Sequence, residues 1–561
     1  MIQAVIGIVN MYGALIVLSL LAAVVGSGVR CVRGLHMLQL DSYSNLRLFR
    51  WLWTTPYRRL IEPWSSLLSI GLLGVHLIFW ALGVEQGAYL ILGLWCIANT
   101  LLLLRSKQPK AKKALVYTAR AVRILTTALL LVIVIAGAVG LYAFEQLSQG
   151  RLSSAEYKAA AFILIGGGAM IQLAPLTVIL ANLLLTPIQK TINAFYLFSA
   201  KRRLRQFGPI VVGITGSYGK TSTKYFLHTL LSERYRTLKT PQSFNTLMGI
   251  CRVINNDLQP QHEVFIVEMG AYSRGVIREL ADFVHPQIGI LTAIGPQHLE
   301  RFKTIENIEA AKYELIESLP NSGVAVFNND DRRCRRLADR TQGVKVLRYG
   351  VENSQSGLSM WAEEIKQDMH GLAFTLVDSE GNRATTHTML MGQHNVLNIL
   401  GAASVALEMG LSLEDIAKAI AKIQPVPHRL QLLHGAGGVT VIDDSYNSNP
   451  MGAIEALEVL QEFKTGKRVL VTPGMVELGE VEAAQNEAFG ARAARICDYV
   501  LLVGPKQTLA ITRGLEREQF PSERIYVVRD LTEATSKLQQ IIQAGDVVLF
   551  ENDLPDLYAE A

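Results

Sequence analysis

The first 200 residues carry long, nearly uncharged apolar runs, whereas the remainder alternates short apolar segments with polar ones. Five apolar runs cover residues 2–28, 65–84, 88–104, 124–145 and 160–186. Each has about the length that an α-helix needs to cross the hydrocarbon layer of a bilayer. The pattern predicts an α-helical transmembrane domain over residues 1–205, with about five transmembrane helices.

Basic residues fall mainly on one side of these runs. They concentrate in the loops after the first and third runs and in the segment after the fifth, whereas the two alternate loops hold only Arg151 and Lys158. Because Lys and Arg collect on the cytoplasmic side of membrane proteins, we predict a multi-pass protein of the cytoplasmic (inner) membrane. Its N-terminus is expected outside, and everything beyond Lys201 in the cytoplasm, where ATP is available.

Two stretches beside the runs mix cations with large apolar side chains. Residues 46–60 combine Arg with Leu, Phe and Trp, and residues 188–205 combine Lys and Arg with Phe, Tyr and Leu. Such stretches are typical of ordinary snorkelling anchors at a membrane surface. The alternative is a docking surface for an anionic, lipid-linked substrate.

Strand-like runs rich in β-branched residues recur from about residue 206, with helical segments between several of them. The first group covers Ile210–Ile214, Val264–Glu268, Ile288–Ile294, Val324–Phe327 and Lys345–Tyr349. The second group covers Val439–Ile442, Val469–Thr472, Tyr499–Val503, Ile525–Val528 and Val547–Phe550. Strands alternating with crossover helices indicate parallel sheets. We predict a central α/β domain at 206–424 with a mainly parallel sheet, and a Rossmann-like α/β domain at 425–561.

Two segments between these groups have patterns of their own. Residues 350–390 alternate strands with turns, which predicts an antiparallel flap on the central sheet. Residues 394–424 have the pattern of a helical pair, and the proline-rich segment Gln424–His428 reads as a linker.

Composition adds little to this division. Apolar residues make up 50% of the chain, and the excess lies in its first 200 residues. Much of the net charge of +6 lies beside the apolar runs, so nucleic-acid binding is not predicted. The five cysteines lack Cys-x-x-Cys spacing, which argues against a zinc site or a disulfide framework and suits a reducing compartment.

The glycine-rich segment that follows the first predicted strand has the build of a phosphate-binding loop. Its sequence is Ile210-Val-Val-Gly-Ile-Thr-Gly-Ser-Tyr-Gly-Lys-Thr-Ser-Thr223, and a helical pattern follows. Glycines let backbone N–H groups face an anion, the helix adds its dipole, Lys supplies charge and Thr a hydroxyl for Mg²⁺. Ile214 replaces the first glycine of the strict P-loop pattern. The residues predicted to bind ATP here are Gly216, Ser217, Gly219, Lys220, Thr221 and Ser222.

Further motifs follow this loop. They are Ser243-Phe-Asn-Thr246, Glu268-Met-Gly270, Gly295-Pro-Gln-His-Leu-Glu300, Lys312, Gly392-Gln-His-Asn395, Asp443-Asp-Ser-Tyr-Asn-Ser-Asn-Pro450 and Met475-Val-Glu-Leu-Gly479. With them, residues 206–561 resemble the Mur ligase family, and are most similar to the branch that adds D-alanyl-D-alanine to a muramyl tripeptide. The resemblance implies an ADP-forming ligase that uses ATP and Mg²⁺. Such a ligase phosphorylates a carboxylate, and an amine then attacks the acyl phosphate.

Four residues are expected to form the metal site. Thr221 would ligate Mg²⁺ beside the nucleotide, and Glu268 ends a predicted strand, where ligands gather in open α/β sheets. A surface strand-end acid is the alternative for Glu268. The resemblance adds His298, which alone reads as a loop histidine, and Lys312, which matches a lysine that many family members carbamylate. An ordinary helix-surface lysine is the alternative for Lys312.

Lys220 is predicted to neutralise the β- and γ-phosphates. The resemblance places Asn245 near the γ-phosphate. Together with His298 and Lys312, these two residues complete the predicted catalytic set.

The remaining motif residues are expected at the far end of the nucleotide. The resemblance implies that Asn395 contacts adenine, and that Arg429 and Asp444 close over the ribose and phosphates from the C-terminal domain. Such closure would exclude water from the acyl phosphate. Asn447 and Asn449 have a simpler alternative role as turn formers before a proline.

The chain departs from the family pattern in three places. The N-terminal domain that usually holds a UDP-linked sugar is absent, and the predicted membrane domain occupies its position. Phe550-Glu-Asn-Asp-Leu-Pro555 replaces the usual Lys-Gly-Ser, and Pro473 and Gly474 precede Met475 where Gly-Asp is usual. These departures concern the two substrates rather than the ATP chemistry.

We therefore predict a membrane-anchored, ATP-dependent carboxylate–amine ligase of cell-envelope biosynthesis. Its expected partners are membrane lipid, a muramyl-peptide or lipid-linked acceptor, and D-Ala-D-Ala or a similar amino acid or dipeptide. A membrane-bound polyglutamate-type synthetase and a non-catalytic nucleotide-binding scaffold are the alternatives. A transporter is disfavoured, because the apolar runs carry few charges.

Overall fold

The computed structural model describes residues 2–41, 43–54, 63–84, 87–105, 114–149, 152–351, 357–368, 370–446 and 448–553. Much of the basic loop after the third apolar run, residues 55–60 of the first amphipathic stretch, Arg151, Asn447 and the segment from Leu554 lie outside these ranges. Contacts between Cα atoms divide the chain into two compact units, Met1–Asn193 and Ala194–Ala561.

In the described residues of the first unit, all regular secondary structure is helical. Its helices are Ile2–Leu40, Asn45–Thr54, Pro63–Ala81, Gly87–Arg105, Ala119–Gln149 and the beginning of Leu152–Phe207. Four apolar segments are long enough to cross a membrane: Gly13–Leu40, Trp64–Ala81, Ala119–Ser148 and Ala155–Phe207. The third predicted span, residues 88–104, coincides with a shorter apolar segment, Gly87–Leu102.

Polar side chains of the first unit pair with one another inside it. Ser65 Oγ donates a hydrogen bond to Asn99 Oδ1 (2.8 Å), and Trp95 Nε1 donates to Ser69 Oγ (2.9 Å). The outward-facing positions are apolar instead, and Leu141, for example, is 75% exposed. A contiguous exposed apolar surface of this kind marks a site of contact with lipid or protein.

The short helix Asn45–Thr54 is amphipathic. Leu48 and Leu52 are buried, whereas Phe49 and Trp53 are exposed and stack at 5.9 Å between ring centroids. The second predicted amphipathic stretch, residues 188–205, forms part of the helix Leu152–Phe207.

The second unit contains a nine-stranded sheet. Its strands are β1 Ile210–Thr215, β2 Thr237–Lys239, β3 Val264–Glu268, β4 Ile288–Leu291, β5 Val324–Asn328, β6 Lys345–Gly350, β7 Met360–Asp368, β8 Gly371–Asp378 and β9 Arg383–Thr388. The order is β2-β3-β1-β4-β5-β6-β7-β8-β9, parallel up to β7 and antiparallel from β7 to β9. The predicted antiparallel flap is therefore present.

Helices cover both faces of this sheet. They are Lys220–Leu231, Leu247–Asn256, Val276–Val284, Leu299–Phe302, Ile305–Glu317, Arg332–Arg340, His394–Glu408 and Leu413–Ile420. Two apolar cores result, one on each face, because successive buried residues of a strand point to opposite sides.

A six-stranded sheet follows in the same unit. Its strands are β10 Gln431–His434, β11 Thr440–Asp444, β12 Arg468–Thr472, β13 Tyr499–Val503, β14 Ile525–Val528 and β15 Val547–Glu551. Their order is β10-β11-β15-β12-β13-β14, and only the edge strand β10 runs antiparallel. The helices are Pro450–Glu462, Glu482–Ala494, Leu509–Arg517 and Leu531–Ile541. The prediction of α/β architecture with mainly parallel sheets is confirmed.

The order of the first sheet decides where the predicted site residues lie. Strands β3 and β4 flank β1, and the register pairs Ile214 with Glu268 on one side and with Ile290 on the other. Because parallel strands end at the same edge, the phosphate loop after β1 lies beside Glu268 and the segment that follows β4.

Candidate active site

The phosphate loop joins β1 to the helix Lys220–Leu231. Gly219 has φ 80°, which favours glycine, and a Cβ at Gly216 would collide with Thr292 beside β4. The loop is fastened to the neighbouring segment by Ser217, whose backbone N–H donates to Ala293 O (2.7 Å) and whose hydroxyl donates to Gly295 O (3.0 Å). The sequence thus forms a rigid turn at the start of a helix, which is suited to hold an anion.

Lys220 lies at the first position of that helix, and Ser222 is buried in the same turn. The Lys220 ammonium donates to the carbonyl oxygens of Gly216 (2.6 Å) and Ser217 (3.0 Å), so it folds back over the loop. Burial lowers the pKa of Lys220 to about 8, against the opposing effect of the Glu268 carboxylate. A phosphate at the loop would offer this ammonium a charged partner in place of two carbonyls.

Glu268, at the end of β3, is 1% exposed and fully engaged. Its Oε2 accepts hydrogen bonds from Thr221 Oγ1 (3.0 Å) and Lys224 Nζ (2.9 Å), and its Oε1 accepts one from Asn245 Nδ2 (3.1 Å). Burial raises the pKa of this carboxyl, but the charges of Lys224 and Lys220 outweigh it and hold the pKa below its ordinary value. The surface-acid alternative for Glu268 is wrong.

Lys224 is a site residue that the sequence reasoning missed. Its side chain is completely buried, and it also donates to the carbonyl oxygen of Gln242. It lies four residues after Lys220, hence on the same face of the helix, and this spacing was the available signal.

Lys312 lies on the helix Ile305–Glu317 and is 3% exposed, so the alternative of an ordinary surface lysine is wrong. Burial and the nearby charge of Lys220 set its pKa well below the ordinary value, while Glu268 and Glu314 oppose this shift. A lowered pKa favours the neutral amine, which is the nucleophilic form of lysine.

His298 follows β4 in a left-handed backbone conformation (φ 59°). Its Nδ1 is hydrogen-bonded to Oε2 of Glu477, whose Oε1 accepts from Arg301 (2.9 Å). Burial lowers the pKa of His298, although Glu477 opposes this shift. Sequence reasoning quoted Glu477 only as part of a motif and gave it no role.

No three His, Cys, Asp or Glu side chains in the described ranges converge to hold a metal ion. The carboxylate of Glu268 and the hydroxyl of Thr221 nevertheless supply adjacent oxygen donors, which Mg²⁺ prefers. Mg²⁺ commonly takes its other ligands from substrate phosphates and water, so this donor set fits it. His298 contacts Glu477 rather than Glu268, and Lys312 is close enough to Glu268 for their charges to interact.

Asn395, expected at adenine, is buried in the first turn of the helix His394–Glu408. Its Nδ2 donates to Met391 O (2.7 Å), and its Oδ1 accepts from Asn398 Nδ2 (3.3 Å). Asn398 also accepts from Thr223 on the helix after the phosphate loop (3.4 Å). Asn395 is therefore linked through Asn398 to the helix that follows the phosphate loop. Both the oxygen and the nitrogen of its side-chain amide are hydrogen-bonded within the protein.

Arg429 and Asp444, expected to close from the C-terminal side, lie near each other. The Arg429 guanidinium is 4.5 Å from the ring centroid of Tyr446, and Asp444 Oδ1 accepts from the backbone N–H of Leu430 (3.2 Å). Burial raises the pKa of Asp444, although Arg429 opposes this shift. The charge of Arg429 also lowers the pKa of Lys220, which places this pair close to the phosphate loop.

Several polar contacts join the central α/β part to the C-terminal α/β part, and three of them use side chains of the central motifs. Tyr446 donates to Ser243, His394 bonds Glu455, and His298 bonds Glu477. Each contact links one of the central motifs to a residue more than 60 positions further along the chain. Asn449 has a local role, because its side chain caps the helix Pro450–Glu462.

Two family models match the chain in this unit. The model described as "Mur ligase middle domain" matches residues 214–406, and the model described as "Mur ligase, glutamate ligase domain" matches residues 428–551. The first match contains the phosphate loop, Glu268, His298 and Lys312, and the second contains Arg429, Asp444 and Glu477.

Similar curated proteins carry the name UDP-N-acetylmuramoyl-tripeptide–D-alanyl-D-alanine ligase. The protein from Mycobacterium leprae is 32% identical over 61% of this chain and 71% of its own length. The protein from Escherichia coli is 31% identical over 65% and 79%. The protein from Bacillus subtilis is 28% identical over 63% and 75%.

Solved structures of MurF enzymes superpose on this chain. MurF from Acinetobacter baumannii superposes with a TM-score of 0.58 at 26% identity, covering 65% of this chain and 78% of its own. MurF ligase from Thermotoga maritima, solved in complex with ADP, gives a TM-score of 0.56 at 27% identity, covering 64% and 80%. The predictions of the family and of a ligase enzyme are confirmed: the chain belongs to the Mur ligase family.

Proposed function

We propose that this ligase transfers the γ-phosphoryl group of ATP to a substrate carboxylate and joins the resulting acyl group to an amine. The observation that carries the proposal is the convergence of Lys220, Thr221, Glu268 and Lys312 at one edge of the first sheet. This edge contains a phosphate-binding turn, buried positive charge and oxygen donors for Mg²⁺, which phosphoryl transfer needs.

The position of each residue suggests which part of the ATP–Mg²⁺ complex it would bind. Lys220 and the loop N–H groups would hold the β- and γ-phosphates, and Thr221 with Glu268 would hold Mg²⁺. When bound, Mg²⁺ neutralises phosphate charge. Lys224 and Asn245 keep the Glu268 carboxylate in place, since each donates to it. Closure of Arg429 and Asp444 over the nucleotide would keep water from the acyl phosphate.

We propose that Lys312 acts as a carbamate. Its amine is buried and its pKa is lowered, which favours the neutral form that reacts with CO₂. Carbamylation turns this amine, which feels the charge of Lys220, into an anion that can face a metal ion. The local charges favour this change, because the cations Lys220 and Lys224 both act on Glu268 and the charge of Lys220 also acts on Lys312.

We propose a muramyl peptide as the acceptor and D-Ala-D-Ala or a similar amine as the second substrate, as the names of the similar proteins indicate. The first unit motivates a refinement, in which the acceptor is lipid-linked. Its four long apolar helices and exposed apolar surface suit a membrane anchor with the catalytic unit in the cytoplasm.

Purified full-length protein in liposomes, supplied with ATP, Mg²⁺, candidate amines and either soluble UDP-linked or lipid-linked muramyl tripeptide, tests the proposal. We expect amine-dependent release of ADP and phosphate, with the lipid-linked acceptor preferred. Lys220→Ala should lower turnover by a factor on the order of 10² to 10³. Release of AMP would exclude the acyl-phosphate mechanism, and equal use of both acceptors would exclude the refinement.

The same assay separates the alternative functions. A ladder of product lengths, rather than a single addition, would identify a polyglutamate-type synthetase. An envelope phenotype that survives Lys220→Ala in cells would identify a nucleotide-binding scaffold, since a ligase loses its function with this lysine.

A further inference from the structure

We propose that Glu477 is a positioning residue for His298, supplied by the C-terminal α/β part to the central part. Through this contact the site would be complete only when the two parts are docked. The inference rests on the proposed function, because the charges of Lys220 and Lys312 act on His298 and this ring therefore lies near the proposed phosphate and metal end of the site.

The contact is made by a loop with defined geometry. Glu477 Oε2 bonds Nδ1 of His298, its Oε1 accepts from Arg301 (2.9 Å), and its carbonyl oxygen accepts from the backbone N–H of Glu300 (3.4 Å). Gly479 lies against the backbone of Leu299 and Glu300, where an added Cβ would be 3.5 Å from Glu300 N. The loop therefore contacts the His298 segment through backbone and side chain together.

The loop is also rigid on its own side. Asn486 binds both backbone groups of Met475, accepting from its N–H (2.9 Å) and donating to its carbonyl oxygen (2.9 Å). Leu478 N–H donates to Glu482 Oε2 (3.2 Å). Asn486 is 3% exposed, so the helix Glu482–Ala494 holds the loop that carries Glu477.

The imidazole of His298 is oriented from two sides. Tyr272 meets it edge-on, with 4.6 Å between ring centroids, and the Arg301 guanidinium lies 4.4 Å from the Tyr272 centroid. Glu477 takes Nδ1, and within the described residues no other side chain hydrogen-bonds this ring. Nε2 is then the nitrogen that can face a ligand. A carboxylate hydrogen-bonded to Nδ1 fixes the proton on Nδ1 and makes Nε2 a stronger electron-pair donor to a metal ion.

Backbone strain points the same way. His298 (φ 59°) and Glu477 (φ 65°) are both non-glycine residues in the left-handed region. Such conformations persist where the surroundings impose them, and they cluster at functional sites.

The test uses the full-length enzyme in detergent micelles with Glu477→Gln, Glu477→Asp and a matched control, Glu480→Gln. Glu480 is an exposed acid three residues further along. The first readout is the affinity for Mn²⁺ in the presence of ADP, measured by electron paramagnetic resonance. We expect Glu477→Gln to weaken Mn²⁺ binding roughly 10- to 100-fold, Glu477→Asp to recover part of it, and Glu480→Gln to stay within about twofold of wild type.

The second readout needs neither metal nor turnover. The protein is labelled with ¹⁵N-histidine and its NMR spectrum is recorded without metal. The His298 signal, identified by its absence from the spectrum of His298→Asn, should be that of a ring protonated at Nδ1. That signal should change tautomer in Glu477→Gln and keep it in Glu480→Gln. The same tautomer in Glu477→Gln and wild type, or unchanged Mn²⁺ affinity, would overturn the inference.

Two further variants keep the test decisive if Glu477→Gln folds poorly. Arg301→Gln leaves the His298–Glu477 bond in place and should retain Mn²⁺ affinity, whereas a loss like that expected for Glu477→Gln would assign the effect to docking alone. In a His298→Asn background, Glu477→Gln should cause no further loss of affinity. If wild type releases no ADP with any amine, the proposed function fails; if wild type is active and Glu477→Gln binds Mn²⁺ normally, only this inference fails.

Discussion

Two glutamates end parallel strands that are flanked on both sides by other parallel strands, yet their surroundings differ. Glu268 ends β3 among Lys224, Lys220 and the Thr221 hydroxyl, and its pKa is lowered. Glu551 ends β15, is fully buried, and is bonded to the hydroxyls of Ser448 and Thr472 (3.1 Å). The location within a sheet is the same, but the partners decide whether the carboxyl is an anion or a neutral acid.

Glu551 stands in the segment that replaces the Lys-Gly-Ser of the family pattern. Burial raises its pKa to about 8, and the charge of Asp444 adds to this effect. At neutral pH it is therefore mostly protonated, and it ties β15 to β12 and to the segment before the helix Pro450–Glu462. The chain has a charged strand end where we propose that phosphate chemistry takes place, and a neutral, structural one in the C-terminal sheet.

The largest change in the comparison between Glu268 and Glu551 is expected when the cation beside Glu268 is removed. Lys224→Met leaves Glu268 buried without its ion pair, so the free energy of unfolding should fall by about 3–5 kcal/mol near pH 8. The loss should be smaller near pH 5, because the orphaned carboxyl can then take up a proton. Denaturant unfolding of the full-length protein in micelles measures both values.

The double variant Lys224→Met/Glu268→Gln is the control for this prediction. It removes both members of the pair and should recover part of the lost stability. Equal stability of Lys224→Met and wild type would show that the pair contributes nothing.

A second effect, which depends on pH, should distinguish the second glutamate. The pKa of Glu551 is higher in the folded chain than in the unfolded chain, so the unfolded state loses its proton first as pH rises. The stability due to this group is complete below the unfolded pKa of about 4.3 and falls by about 1.4 kcal/mol per pH unit up to about pH 8. Glu551→Gln should remove this slope, whereas Glu480→Gln should retain it. Parallel unfolding curves for all three proteins between pH 5 and 8 would contradict the assignment.

The smallest changes in stability are expected when one hydroxyl beside each glutamate is removed. Thr472→Val removes a hydrogen bond to Glu551 and should cost about 1 kcal/mol of stability without reducing ATP binding. Thr221→Val removes the matching bond to Glu268 and should cost no more stability, because Lys224 and Asn245 remain, but it should abolish most ADP release. Serine at either position retains the hydroxyl and serves as the control. Full activity of Thr221→Val would remove Thr221 from the site.

Local patterns in the sequence predicted the parts of this molecule that depend on neighbouring residues. The phosphate loop, most strand positions and the antiparallel flap follow from glycine placement, β-branched runs and alternation. The short edge strands β2 and β10 were not predicted, because neither contains a run of β-branched residues. Lys224 was not predicted as a site residue, because the phosphate-loop motif includes Lys220 but not Lys224. Both nevertheless lie on one face of the helix.

Contacts between distant residues could not be read in the same way. His298 and Glu477 are 179 positions apart, and their pairing depends on how the two α/β parts dock. The burial of Lys312 is likewise a tertiary property, since its helix shows mixed apolar and charged positions in sequence. A family resemblance named some of these residues, but only the structure shows which side chain each one contacts.

The polar contacts between the α/β parts also bear on how often the proposed reaction can turn over. Pairs of hydroxyl, imidazole and carboxylate groups exchange with water at little net cost, whereas a broad apolar interface would stay shut. A ligase that shields an acyl phosphate must nevertheless open in each cycle to release ADP and product. Contacts that are specific in geometry and weak in energy therefore let bound ligands, rather than the protein alone, decide when the two parts separate.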